Sequence, residues 1–157
     1  MMIYSSFTHF LQVIPSSLPL VVNFLSANSD SADVTVCTLS RADYLELMRL
    51  DRDYDASIPC TKKYTKTVPL TNHYWAVTPN KFDLETDIIG EKTNANFIYV
   101  RGSVTEENSI EHLFIRSNLS LTLEKAGDRA LLFATSLDGK AVPKDLTFKG
   151  YYFSQGE

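Results

Sequence analysis

Glycine is scarce, six in 157 residues, and cysteine scarcer still, at two. Few glycines leave little backbone able to cradle a phosphate, and no P-loop, G-x-G-x-x-G or G-x-S-x-G run occurs. Cys37 and Cys60 are too few for a disulfide scaffold and lack CxxC spacing. No charged residue precedes Asp30. The opening MMIYSSFTHFLQVIP therefore has no basic n-region, and no signal peptide is visible. That pattern implies a cytoplasmic chain, or one held within a particle, with two free thiols. Loss of a leader from the chain would instead allow a Cys37–Cys60 bridge. Long apolar runs are also missing. The stretch from Leu11 to Leu25 is broken by Gln12, Pro15, Ser16, Ser17, Pro19 and Asn23, which excludes a membrane span.

Excess positive charge is absent as well. Fifteen Lys and Arg stand against nineteen Asp and Glu, so nucleic acid is a disfavoured partner. Apolar residues at 44% and charged residues at 22% are those of a globular domain, not a disordered chain. The length suits one domain spanning 1–157 with no need of a metal or disulfide staple.

What is plentiful is β-forming residues. Val, Ile, Thr and the aromatics supply 50 of 157 positions, which favours strands over helices. The pattern predicts strands in LPLVVNFL (Leu18 to Leu25), at Val34 to Leu39, Tyr64 to Leu70 and His73 to Thr78. Others follow at Asn96 to Val104, Leu113 to Leu123, Leu131 to Thr135 and Leu146 to Phe153. The first two read as one hairpin with a longer loop, and the next two as a second, turning at Thr71-Asn72. Pro69 places its strand at a sheet edge or strand end, because proline cannot donate to a ladder. Ser40-Arg41-Ala42-Asp43 is a capping-box variant ahead of a helix over about 41–52. Ile3, Phe7, Phe10, Leu11 and Ile14 recur at helical spacing, which fits a second helix over 1–14, ended by Pro15, better than a strand, the alternative that so short a piece leaves open. The architecture expected is a mainly β, antiparallel sandwich or jelly-roll-like fold of about eight strands with one or two short helices.

A VxF strand at Val22 and Phe24, VTVCTL at Val34 and Val36, and a helical turn at Tyr44 follow in that order. TVPL at Val68 and Pro69 and YWAV at Tyr74 and Trp75 complete the series. The series resembles small bacterial β-sandwich accessory domains of unknown function, some of which sit beside TIR domains. The resemblance implies a fold and no activity.

Residues able to do chemistry are few. His9, His73 and His112 form no HExxH or HxH pattern, so neither a metal nor any other cofactor is implied. Asp51-Arg52-Asp53-Tyr54-Asp55 fails as a calcium loop, with Ala56 in place of the turn glycine and Lys62 in place of the bidentate glutamate. Asp83, Glu85 and Asp87 alternate, as on one exposed strand face. Cys60 with His73 offers a nucleophile pair, but no oxyanion hole accompanies it. The candidates for binding are the aromatics Tyr74, Trp75, Tyr151 and Tyr152, together with Phe7, Phe10 and Leu11 of the uncharged N-terminal segment, a docking helix or arm.

The reading is a non-enzymatic protein-binding or assembly module, such as a structural subunit of a viral, phage or bacterial complex, with a protein partner or self-association. One alternative is a carbohydrate or small-ligand binding β-sandwich, in which a saccharide stacks on the aromatics. Another is a small hydrolase using Cys60 or distant carboxylates.

Overall fold

The computed structural model describes residues 2–4, 11–49, 58–105 and 108–150. Strands β1 (Met2–Tyr4), β2 (Leu11–Ile14), β3 (Val21–Ala27) and β4 (Ser31–Leu39) precede the helix α1 (Arg41–Arg49). Then come β5 (Lys62–Pro69), β6 (Thr78–Asp83) and a π-helical turn, Leu84–Ile89. Strands β7 (Phe97–Thr105), β8 (Asn108–Arg116), β9 (Leu119–Ala126) and β10 (Arg129–Ser136) complete the series. Sheet order is β1-β3-β6 in one sheet and β2-β8-β7-β4-β5 in the other, with β9 and β10 as a separate two-stranded sheet. The mainly β sandwich expected from composition is the fold observed. The described ladders are antiparallel except β2 on β8, which is parallel.

Alternation builds the core. Val22 and Phe24 of β3 face Val34 and Val36 of β4, Ile98 and Val100 of β7, and Ile110 and Phe114 of β8. Leu20 and Leu84, both fully buried, close one end. Among the described residues, the second face of the five-stranded sheet is covered at the Leu39 end. There α1 and the chain before β5 lay Tyr44, Leu47, Ile58 and Cys60 over Cys37, Leu39, Tyr99 and Leu113. Tyr44 stacks on Phe97 with ring centroids 4.4 Å apart. The capping box forms reciprocally: the Ser40 N–H donates to Asp43 Oδ2 at 3.0 Å, and the Asp43 N–H to Ser40 Oγ at 3.1 Å.

Several expectations are corrected. The segment 1–14 is not one helix. Met2–Tyr4 pairs with β3 and Leu11–Ile14 with β8, because each of those strands offers an open edge whose backbone groups need partners. Neither expected hairpin exists. β3 and β4 lie in opposite sheets, as do β5 and β6, since their apolar faces must meet each other across the core. Residues 73–77 are a turn, not a strand, for Trp75 has a φ of 68°, outside any extended conformation. The strand comes later and includes Asn80, which is buried and donates to Ser26 Oγ at 2.8 Å. Pro79 within it is tolerated because β6 is an edge strand. Leu113 to Leu123 is two strands broken at Ser117-Asn118. No strand occurs over 146–150, and residues 151–153 lie outside the described chain, as do the rest of the 41–52 helix and the 51–55 acidic run.

The thiols are not free. Cys37 and Cys60 form a disulfide, with Cα atoms 5.2 Å apart. Neighbouring pairing brings them together: Thr61 N–H donates to the Thr38 carbonyl at 2.9 Å, so Cys60 comes down beside Cys37 on the sheet's outer face. The bridge closes a loop of sequence separation 23, which includes α1. Chain-entropy reasoning gives a loop of this size about 3 kcal/mol of stability. Urea unfolding with and without dithiothreitol is expected to show a loss of that order, and identical curves would mean that no bridge forms.

Candidate protein-binding site

The turn that replaces the expected strand carries the most exposed aromatics of the described chain. Trp75 is 92% exposed and Tyr74 75%, with Val77 also out in solvent. The backbone beneath them is held. The Trp75 N–H donates to Asn28 Oδ1 at 3.0 Å, and Asn28 itself sits at φ 54° in the arch between β3 and β4. Asn72 Nδ2 donates to Asp30 Oδ1 at 2.7 Å, and the Thr71 N–H donates to the buried Asn80 Oδ1 at 2.9 Å. The two arches at this end therefore brace each other and order the backbone that carries an outward indole and phenol. An ordered backbone lowers the entropy lost when exposed rings make contact.

A second apolar surface was not anticipated. Among the described residues β9 and β10 pair only with each other, joined by the two-residue turn Gly127-Asp128, where Gly127 supplies a φ of 63°. Leu121, Leu123, Ala134, Leu132 and Ala130 share one face of this hairpin, and Leu131 and Phe133 share the other. Leu123 is 66% and Leu131 56% exposed, Leu121 and Leu132 are also exposed, and Leu119 at the root is half-buried. Asn118 ties its base to the sandwich. The Asn118 side-chain oxygen accepts from the Ser16 N–H, and its carbonyl from the Leu137 N–H, both at 2.9 Å. The leucine alternation was legible, but the polar Ser117-Asn118 pair was the signal that separates Leu119, Leu121 and Leu123 from β8.

Of the other anticipated residues, Leu11 is exposed on the edge strand β2, while Phe7, Phe10, Tyr151 and Tyr152 lie outside the described residues. The alternating carboxylates are not a strand face. Asp83 caps the π-helical turn, accepting from the Glu85 and Thr86 N–H groups. Gly90 ends it at φ 83°, and its N–H donates to the Glu85 carbonyl. Asp87 Oδ2 accepts from the Asp83 N–H at 2.9 Å. Glu85 is buried and holds Arg116 through two bonds, Nη1 to Oε1 at 3.0 Å and Nη2 to Oε2 at 2.8 Å. Burial pushes the Glu85 carboxyl up, but the Arg116 guanidinium and the Thr93 N–H outweigh it and leave the group below the ordinary carboxylate range. The pair floors a cleft of about 400 Å³ between residues 16–19 and 90–94. These carboxylates are spent on structure, and Cys60, bonded to Cys37, presents no thiol for nucleophilic attack. No group of three or more metal-ligating side chains occurs among the described residues. Nor is any described helix long and apolar enough to cross a membrane.

Two measurements test this account. Trp75→Ala is expected to change stability by less than about 0.5 kcal/mol, since the indole touches little. A loss of several kcal/mol in urea unfolding would place Trp75 in a core instead. Arg116→Met strands the buried Glu85 carboxylate and is expected to cost about 3–5 kcal/mol, most of it recovered in Glu85→Leu/Arg116→Met. A neutral single variant would show that the pair does not carry the base of the cleft.

No family model matches the chain, and no curated protein is significantly similar to it. Among solved structures, the chain is similar to the crystal structure of native alpha-2-macroglobulin from Escherichia coli spanning domains MG0-NIE-MG1, with a TM-score of 0.64 and 14% sequence identity. The similarity covers 85% of this chain and 45% of that one, so the chain spans less than half the length of that structure. At that identity the likeness is one of fold alone, a β-sandwich.

Proposed function

We propose that this chain is a non-enzymatic binding and assembly module, a β-sandwich unit that docks against another β-domain through the β9–β10 hairpin. One observation carries the reading. The hairpin is a two-stranded sheet whose leucines are exposed on both faces. Such a sheet is marginal alone in water and needs a further layer. Contiguous exposed apolar surface of this sort marks an interface. A second β-domain is the fitting occupant, because a flat row of leucines packs on another sheet at ordinary sandwich spacing. The neighbour of like fold is itself a chain spanning several domains. Tyr74 and Trp75, at the other end, are a second contact point in this reading. The Cys37–Cys60 bridge belongs with an oxidising compartment rather than a reducing cytoplasm.

Light scattering on a size-exclusion column, with hydrogen exchange on the same sample, tests the reading. Self-association that Leu123→Asp/Leu132→Asp abolishes without unfolding the sandwich would support docking of one copy on another. A monomer whose hairpin amides exchange freely while the sandwich is protected would support a partner domain of a different chain. A monomer with a fully protected hairpin would overturn the proposal, since the hairpin would then need no partner.

A further inference from the structure

His112 lies on the inner face of β8 between Ile110 and Phe114 and is buried at 6% exposure. Its ring borders a gap of about 10 Å³ at the contact between the two sheets, room for at most about one water. Val22 and Phe24 of β3 and Phe82 of β6 wall the gap from one sheet, and Val34, Val100 and Ile110 wall it from the other. Its Nε2 is buried without a hydrogen-bond partner. Among the described residues no carboxylate faces the ring. Asp33 on β4 and Glu111 on β8 alternate onto the outer face of the five-stranded sheet, as does the cation Arg101 on β7. Lys81 and Asp83 flank Phe82 on β6 and point away from the gap. β3 carries no charge, and Glu85 of the π-helical turn is engaged by Arg116.

We propose that His112 makes the closure of the two sheets acid-labile, so that protonation of one buried imidazole loosens the sandwich. A neutral ring fits an apolar gap with one unpaired nitrogen. An imidazolium there has two N–H donors and a charge, with neither an acceptor for Nε2 nor space for a hydration shell. Burial accordingly holds the ring below its ordinary value of 6.5. The sign follows from linkage. With the folded value depressed, the unfolded chain takes up the proton first, so stability is full above pH 6.5 and is lost as pH falls below it. Glu85 is depressed from 4.5 and weakens the fold only in a more acid range, so the two effects separate.

The test is urea unfolding followed by far-ultraviolet circular dichroism at pH 7.5, 6.5 and 5.5, for the native chain, His112→Gln and His112→Leu. Between pH 7.5 and 5.5 the native unfolding constant is expected to rise about five- to tenfold more than that of either variant. Equal pH dependence in native chain and variants would overturn the proposal. Should both variants fail to fold, carbon-13 NMR of the native His112 ring decides the matter. A titration midpoint below 6.5 supports the device, and one at or above 6.5 removes it.

Discussion

Everything else in this molecule answers to the closure of two unequal sheets over a single apolar layer. Val22 and Phe24 on one side and Val34, Val36, Ile98 and Phe114 on the other can be buried only if consecutive strands change sheets. The connections β3–β4 and β5–β6 are therefore arches, and an arch leaves more backbone unpaired than a tight hairpin does. Side chains take up the difference. Asn28, Asp30, Asn72 and Asn80 each receive or give a bond that joins one arch to the other or to the core. The outward display of Trp75 is a by-product of that repair, because the left-handed residue that turns the chain also has nowhere inward to point.

The same closure separates the two surfaces able to make contacts. The braced aromatic turn lies where β3 ends and β4 begins, and the hairpin leaves from the opposite end, beyond Arg116 of β8. At that second end, charge does the tying. The Glu85–Arg116 pair links the π-helical turn to the last residue of β8, while Asn118 holds the root of the hairpin to Ser16.

Much of the fold was readable because alternation is a local property. Val34 to Leu39, Asn96 to Val104, the Ser40–Asp43 cap and the edge position of Pro69 stand close to where composition placed them. Partners were not readable, since pairing depends on which faces must be shared across the core. Tyr74 and Trp75 have strand-forming side chains, yet the arch needed a turn there, and Asn80, a turn former, serves the strand through its bond to Ser26. The bridge between Cys37 and Cys60 was open only as an alternative to free thiols, because it takes the pairing of β4 with β5 to bring their Cα atoms within reach. Of the surface residues, Tyr74 and Trp75 were found for their chemistry, while the hairpin leucines were hidden in a run that looked like one inward-facing strand.

The chain has a single tryptophan, and it stands in solvent. Its fluorescence is therefore nearly blind to folding, since the indole is wet in the native and the unfolded chain alike. It is sensitive to whatever comes to lie on the aromatic turn, because any dry contact there shifts the emission to the blue. Excited beyond the absorption of the eight tyrosines, Trp75 is the single emitter, so that light reports the molecule's company rather than its shape.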